Sequence, residues 1–517
     1  MSRAAPDAIC IVLHAHLPFV RHADDEDFLE EDWLLEAIIE CYVPLFSRLV
    51  ALRDAGTDFR ITLGLSPTLV AMLDDPLLRQ RRDRRVAALR ERVKSARSGP
   101  WEKTHHAALA HQEERLEQVQ RHLESWRGDV LAPIVDLSRS GHIELISESA
   151  THGLLPLFSN RASQKAQIQI GRAEFVRRFG KPAAGHWLAE CGFAPGTDRL
   201  LADDGVSYFL AESNAVTNAS PPVDVLCPAG TAAGVTVFAR DPASAAQVWN
   251  ARVGFPGDPV YRERYRDLGH DEPLSREPRA LGIKLHRVTG LDVPGSEKAP
   301  YDPEEARMRA HAHAREFVDA RRRQFKTAAS AGKQKVLTAC YDAELFGHWW
   351  YEGPDFLCEV LRLLAADETI VAGSPSQFVA SEAHRPQIEP ACSTWGAGGS
   401  HQVWLGPSNE WLYRYQHAAE RGMSELLQRF GDTTEPGALR VLQQCGRELL
   451  LLQSSDWAFM LATGAHAPYA RRRFTEHFQA FRRLHDSLLM DTAEPEHLAL
   501  REQSTPIFAQ LSLDAWR

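Results

Sequence analysis

Features that mark several other protein classes are scarce or missing in this 517-residue chain. It has only 8 cysteines, and no two of them form a Cys-x-x-Cys pair. Reduced core thiols are therefore favoured over disulfides or a zinc knuckle. No apolar run approaches the roughly 20 residues of a membrane span, and the run at residues 9–13 is too short for the core of a secretory signal. We expect a cytoplasmic protein without a membrane partner.

The chain also lacks an excess of positive charge. Its 59 Lys and Arg residues face 69 Asp and Glu residues, which gives a net charge of −10. This balance argues against nucleic acid as a partner and is compatible with a neutral substrate. There is no Walker loop, Gly-x-Ser-x-Gly elbow or dinucleotide fingerprint, which excludes several nucleotide-binding and serine-hydrolase functions.

The chain does contain a series of short apolar runs separated by helical or polar stretches. This alternation predicts parallel βαβ units, and a barrel of roughly 250 residues could hold the catalytic part. Ser66-Pro67 and Ser374-Pro375 each come just after such a run. Serine can cap a helix and proline fits its first turn, so both dipeptides predict the start of a helix. The runs cover residues 9–13, 61–65, 143–146, 186–188, 208–211, 235–239, 336–340 and 369–372.

Other stretches have helical or irregular character. Residues 77–126 are highly charged with one apolar stripe, which predicts a helical insertion rather than a nucleic-acid arm. Residues 215–234 are rich in Ala, Pro, Thr and Gly and predict an irregular loop over a site. Beyond Ser408, helical runs at 410–430, 439–461 and 471–489 predict a separate domain. The predicted domains are a barrel (1–76 and 127–400), an inserted helical domain (77–126) and a helical C-terminal domain (401–517).

Two acids occur in matching contexts. Glu190 lies in Gly185-His186-Trp187-Leu188-Ala189-Glu190-Cys191, and Asp342 lies in Tyr341-Asp342-Ala343-Glu344-Leu345-Phe346-Gly347-His348-Trp349-Trp350. Both follow strand-like runs, and in a parallel barrel such side chains gather at one mouth. A retaining glycosidase needs two carboxyl groups about 5 to 5.5 Å apart, with environments that split their pKa values. A surface salt bridge or a helix cap is the alternative for each acid.

His14 and His16 lie at the end of the first apolar run. Three interpretations stay open on the residues alone: hydrogen bonding to sugar hydroxyls, metal ligation together with a residue such as His152, and a structural role.

Several separated motifs together give the chain a resemblance to glycoside hydrolase family 57, and within it to the 1,4-α-glucan branching enzymes. The resemblance covers essentially the full length. Besides the two acidic blocks, its motifs are His14-Ala15-His16-Leu17-Pro18, Glu144-Leu145-Ile146 leading to Ala150-Thr151-His152-Gly153-Leu154-Leu155-Pro156, Ser393-Thr394-Trp395-Gly396 leading to Trp404, and Gln453-Ser454-Ser455-Asp456-Trp457.

The resemblance implies an α/β fold: a (β/α)7 barrel with an inserted small helical domain and an α-helical C-terminal domain. It implies Glu190 as nucleophile and Asp342 as general acid/base, with no metal and no cofactor. The implied substrate-binding residues are His14, His16, His152, Trp187, Trp349, Trp395, Trp404, Trp411 and Asp456.

The implied activity is that of a retaining transglycosylase, which cleaves α-1,4 bonds of an amylose-like or glycogen-like glucan and re-forms them as α-1,6 branches. The alternative is a hydrolytic α-glucanase of the same family, because the family's mobile loop carries a tyrosine and its counterpart within 210–260 has none; Tyr208 and Tyr261 only flank it. A glycan-binding protein with an inactive site and a metal-dependent deacetylase or mannosidase are more distant alternatives.

Overall fold

The strands of the molecule run mostly parallel around a central barrel. The computed structural model describes residues 6–23, 29–250, 252–271, 282–328, 334–381, 385–492 and 494–517. The strands are β1 (Asp7–Ala15), β2 (Ile61–Leu65), β3 (Ile143–Glu148), β4 (Gly185–Trp187), β5 (Tyr208–Ala211), β6 (Ala229–Thr231), β7 (Thr236–Ala239), β8 (Val336–Asp342), β9 (Ile370–Gly373) and β10 (Gln387–Ile388).

Seven of these strands form the barrel, in the order β8-β1-β2-β3-β4-β5-β7. Every neighbouring pair in this order is parallel. A parallel bridge between Arg240 and Thr338 joins β7 back to β8, where the amide of Asp241 donates to the carbonyl of Thr338 at 2.8 Å. The predicted (β/α)7 barrel is therefore confirmed.

The remaining three strands lie outside this ring. β6 pairs antiparallel with β7, and β10 pairs with β6. β9 pairs with the first half of β1, from Asp7 to Cys10, whereas β2 pairs with the second half, from Val12 to Ala15. The predicted run at 369–372 is thus a strand, but it only extends one edge of the barrel.

The barrel strands are covered on both faces, which explains their continuous apolar sequences. In β1 every residue from Ala8 to Ala15 is buried. Ser66 caps the helix that follows β2, since its hydroxyl accepts from the amide of Leu69 at 3.3 Å, as the Ser-Pro motif predicts.

Helices surround the barrel. Two long helices, Pro76–Arg97 and Glu102–Ser125, occupy the segment predicted as a helical insertion, and their apolar side chains are buried. A π-helix, Ala37–Tyr42, comes directly before Pro44, where a kink would be expected. The helices up to the barrel's last segment are α1 (Leu29–Glu36), α2 (Val43–Asp54), α3 (Pro67–Asp74), α4 (Pro76–Arg97), α5 (Glu102–Ser125), α6 (Ala132–Arg139), α7 (Arg161–Phe179), α8 (Thr197–Asp203), α9 (Asn214–Thr217), α10 (Pro242–Trp249), α11 (Leu268–Asp271), α12 (Pro303–Thr327), α13 (Gly353–Ala365) and α14 (Pro375–Ser381).

The C-terminal part is helical, with one correction to the predicted runs. The run at 439–461 is two helices rather than one, because Ser454 is extended (φ −58°, ψ 131°) and bridges Gly153 of the barrel. Among the described helices, none has both the length and the apolar surface that a bilayer crossing requires. The helices are α15 (Trp411–Phe430), α16 (Pro436–Leu452), α17 (Ser455–Thr463), α18 (Ala467–Leu489) and α19 (Pro495–Ser504).

Candidate active site

A cavity of about 430 Å³ opens at the carboxyl ends of the barrel strands and is bordered on one side by the helical C-terminal part. This is the end of a parallel barrel where functional side chains gather. Eight of the predicted site residues line it: His14, His16, His152, Glu190, Asp342, Trp349, Trp395 and Asp456.

Glu190 lies in a 3₁₀ turn, Ala189–Cys191, just after β4. Its φ of 60° and that of Cys191 (50°) are in the left-handed region, which non-glycine residues adopt only when their surroundings hold them there. Both carboxylate oxygens are held by donors: Trp395 Nε1 donates to Oε2 at 2.6 Å, and Ser455 Oγ donates to Oε1 at 2.8 Å. The carboxylate is therefore fixed from two sides, one of them the C-terminal helix α17.

The charge state of Glu190 is set by these donors and by His152. Burial opposes ionisation, but His152, Ser455 and Trp395 outweigh it and hold the pKa of Glu190 below its usual range. The Nε2 atom of His152 lies 3.7 Å from Oε1 of Glu190. Glu190 is consequently an ionised carboxylate at neutral pH.

His152 is a cation between two carboxylates. Its ring nitrogens lie 3.8 Å from Glu148 and 3.7 Å from Glu190. Burial disfavours the charge, yet the two acids raise the pKa of His152 to about 10. His14 stacks on it at 4.7 Å and hydrogen-bonds Glu148 at 2.8 Å; burial lowers the pKa of His14. The two stacked imidazoles thus carry different charges.

His16 connects the barrel with the C-terminal helices. Its Nδ1 lies 2.8 Å from the hydroxyl of Ser66, and its Nε2 lies 2.9 Å from Oδ2 of Asp456 on α17. Despite burial, His16 and His152 lower the pKa of Asp456 to about 2, so this residue is ionised.

Asp342 ends β8, in register with His14 of β1. Its Oδ1 is buried and has no hydrogen-bond partner among the described residues. Burial, followed by the charges of Glu344 and Glu190, raises the pKa of Asp342 well above its usual range. Of the two predicted catalytic acids in the cavity, the surroundings therefore favour the ionised form of Glu190 and the protonated form of Asp342.

One group of residues here has ligand atoms close enough for a metal ion. Atoms of His14, Glu148 and His152 lie within 4.8 Å of one another. A metal would need both imidazoles neutral, whereas His152 is a cation and His14 already bonds Glu148. The arrangement fits an ion-pair cluster better than a metal centre, and the absence of a metal requirement stays a prediction.

Three of the tryptophans predicted to bind substrate are not among the residues that line this cavity. Trp187 is fully buried behind His14, with ring centroids 4.7 Å apart. Trp404 is buried against Gly396, where a β-carbon would come within 2.6 Å of the ring; the glycine therefore serves packing. Trp411 packs edge-on against Phe474 on α15 and α18.

The structure adds residues that the sequence did not indicate. Trp249, at the end of α10, lines the cavity with its ring centroid 5.8 Å from that of Trp349. The guanidinium of Arg264 lies 5.4 Å from the Trp349 ring centre. The structure also adds the buried Glu148 and Glu344, and Ser455, Phe459 and Met460 of α17. Of these residues, only Ser455 and Glu344 belong to a motif given above.

The predicted loop over the site is corrected as well. No residue of 215–234 is among those lining the cavity, and this stretch contains α9 and β6. The flanking Tyr208 and Tyr261 are both fully buried, and Tyr261 hydrogen-bonds His313 at 2.8 Å. The aromatic side chain that this part of the chain contributes is Trp249.

Two family models match most of the chain. Residues 10–390 match the family model described as Glycosyl hydrolase family 57, and residues 415–516 match the one described as 1,4-alpha-glucan branching enzyme, C-terminal.

Individual relatives are similar over most of their length. A 1,4-alpha-glucan branching enzyme of Thermococcus kodakarensis is 32% identical over 93% of this chain and 74% of its own. The crystal structure of a family 57 branching enzyme from Thermococcus kodakaraensis with glucose superimposes with a TM-score of 0.91, at 30% identity, over 99% of this chain and 96% of that one. The novel alpha-amylase AmyC from Thermotoga maritima gives a TM-score of 0.91 at 34% identity, over 99% of both chains.

Proposed function

This chain belongs to glycosyl hydrolase family 57, and from that premise we propose that it is a 1,4-α-glucan branching enzyme acting by a retaining mechanism. The observation that carries the mechanism is the pair of carboxyl groups in one cavity, in surroundings that lower the pKa of Glu190 and raise the pKa of Asp342. A double displacement starts from these two states, one nucleophile and one acid.

In the first step, a carboxylate oxygen of Glu190 attacks the anomeric carbon of a glucose unit. The bond from that carbon to the glycosidic oxygen breaks, and Asp342 gives its proton to this oxygen. The departing chain leaves with a new hydroxyl end, and the rest of the glucan stays on Glu190 as an ester.

In the second step, the ionised Asp342 takes the proton of a 6-hydroxyl on another glucan chain. The hydroxyl oxygen attacks the anomeric carbon, the ester bond breaks, and Glu190 leaves as a carboxylate. Two inversions at the same carbon retain its configuration. The product is an α-1,6 branch.

The surrounding side chains support this chemistry. Trp395 and Ser455 hold both oxygens of Glu190, and the imidazolium of His152 stabilises the carboxylate when it is released. His152 and Asp456 are ionised groups positioned to hydrogen-bond sugar hydroxyls. Trp249 and Trp349 form an aromatic wall of the cavity, and a glucan bound against this wall would displace water, which favours transfer to a glucan over hydrolysis.

Hydrolysis is the second candidate activity. It is favoured by the similarity to the Thermotoga maritima amylase and by the lack of tyrosine in residues 210–260. Branching is favoured by the C-terminal match and by Trp249, which supplies a large aromatic surface from the same part of the chain.

The proposed substrate is amylose or a glycogen-like glucan, and the proposed compartment is the cytoplasm. The eight cysteines are free thiols, which fits a reducing compartment.

The test is to incubate the purified protein with amylose and to count α-1,6 linkages and new reducing ends. Branching predicts linkages in excess of reducing ends; reducing ends without linkages would instead establish the hydrolase. Glu190→Gln and Asp342→Asn should each lose at least about a thousandfold in kcat. Glu144→Gln is a matched control, because Glu144 lies near the opposite end of β3, at a separate cavity of about 570 Å³. Wild-type rates in Glu190→Gln would disprove the mechanism.

A further inference from the structure

Another carboxyl group, Glu344, lines the same cavity and has no part in the two steps above. It lies in the 3₁₀ turn Ala343–Leu345 that follows β8 and is only 5% exposed. It stands two residues after Asp342, so the same short segment presents both carboxyl groups to the cavity.

The contacts of Glu344 continue the pairing of two barrel strands. The ladder between β1 and β8 ends with His14 opposite Asp342. Two residues further, the amide of His16 donates to Oε1 of Glu344 at 3.1 Å, so a side chain replaces the missing backbone acceptor. The hydroxyl of Tyr42 donates to the same oxygen in a short hydrogen bond. The carboxyl group is thus held in one position from two elements.

The groups around Glu344 are largely neutral or acidic. The imidazole of His16 is directed to Ser66 and Asp456, not to this carboxyl group. Among the described residues, the largest causes that set the pKa of Glu344 include no Arg or Lys. The titratable groups that face it are Cys41 and Tyr42 from the π-helix, His16 after β1, Glu148 from β3 and Asp342 from β8.

We propose that Glu344 is a positioning residue whose negative charge keeps the proton on Asp342, so that Asp342 remains a general acid at neutral and mildly alkaline pH. This inference rests on the proposed function, since it assigns no separate reaction to Glu344. A carboxyl group that must donate a proton benefits from a nearby negative charge, because ionising both groups in one buried site is unfavourable.

The electrostatics of the pair agree with this role. After burial, the charge of Glu344 is the largest cause that raises the pKa of Asp342. Burial raises the pKa of Glu344 itself to about 7, while the hydrogen bonds from Tyr42 and His16 favour its ionised form. Glu344 therefore becomes charged as the pH passes neutrality, and its charge then opposes the ionisation of Asp342.

The experiment is the pH dependence of kcat/KM for the full-length enzyme on amylose. Glutamine at position 344 keeps an oxygen that accepts from Tyr42 and His16 but carries no charge. We expect Glu344→Gln to move the alkaline limb to lower pH by about one unit. Tyr42→Phe should move it in the same direction by less, because loss of the hydroxyl disfavours ionised Glu344. Glu144→Gln, which changes a half-buried glutamate at the other end of the barrel, should leave the limb in place.

A second substrate separates charge from structure. Fluoride leaves without a proton from the enzyme, so on α-maltosyl fluoride the shift in Glu344→Gln should be absent. The inference would be overturned if the alkaline limb of kcat/KM on amylose stayed in place in both Glu344→Gln and Tyr42→Phe. It would also be overturned if Glu344→Gln shifted the limb equally on the fluoride. If Asp342→Asn is inactive while Glu344→Gln keeps the wild-type limb, only this inference fails. If Asp342→Asn keeps full kcat/KM on amylose, the proposed function fails.

Discussion

The hydrogen bond between Ser455 and Glu190 links the helical C-terminal part to the proposed nucleophile. Ser455 Oγ donates to Oε1 of Glu190 at 2.8 Å, and the two residues are 265 positions apart in the chain. Ser455→Ala removes this donor and leaves the rest of the side chain almost unchanged. The variant therefore measures what the C-terminal helices contribute to the charge of Glu190.

The expected effect follows from the value of one charge-assisted hydrogen bond. Such a bond is worth about 1.5–3 kcal/mol, and one pKa unit corresponds to about 1.4 kcal/mol. Glu190 keeps the bond from Trp395 and the imidazolium of His152 at 3.7 Å, so we take the lower end, about one unit. The donor stabilises the ionised form, hence its loss raises the pKa. Because Glu190 attacks only when ionised, the acidic limb of activity moves to higher pH.

The assay is kcat/KM on amylose between pH 3 and 7, with circular dichroism at each pH to confirm that the fold persists. Ser424→Ala is the matched control: its hydroxyl bonds only the carbonyl of Glu420 on the same helix, at 3.1 Å. We expect the acidic limb to move by about one unit in Ser455→Ala and not in the control. An acidic limb that coincides with the wild type in Ser455→Ala would refute the reasoning that α17 sets the charge of Glu190.

Three further predictions concern the cavity wall, a glycine and a buried ion pair. Trp249→Ala should raise the KM for amylose about threefold, because it removes an aromatic contact worth about 0.5–1.5 kcal/mol. The same variant should form more reducing ends relative to α-1,6 linkages, because water enters the cavity more easily. Gly347→Ala should lower Tm, because φ is 121° and a β-carbon would lie 2.1 Å from the carbonyl oxygen of Glu40; an unchanged Tm would contradict this. Arg501→Met should cost about 3 kcal/mol in urea unfolding, because buried Glu448 loses two bonds of 2.8 and 2.9 Å; a loss below about 1 kcal/mol would argue against it.

Most of the barrel could be predicted from local patterns. Each of the eight apolar runs overlaps a strand, because a strand buried on both faces needs consecutive apolar residues. The run at 369–372 has the same pattern as the others, yet β9 lies outside the ring. Whether a strand closes a barrel depends on its neighbours, and composition carries no information about them.

The break between α16 and α17 shows the same limit in a helix. Residues 439–461 have a continuous helical pattern, and only the bridge from Ser454 to Gly153 interrupts it. The interruption is what places Ser455 and Asp456 at the cavity. Trp404 is predicted to bind substrate, whereas in the structure Gly396 allows its ring to pack closely inside the protein.

By itself, the sequence determined the alternation of strands and helices, the family, and the two acids placed after β4 and β8, because these follow from periodicity and short motifs. The tertiary structure alone decided which acid is ionised, which aromatic rings reach the cavity, and which groups hold Glu344 in place there. Charge state and exposure arise from contacts between distant parts of the chain; Tyr42 and Glu344, for example, are 302 positions apart. Such contacts exist only once the barrel and the C-terminal helices have packed together.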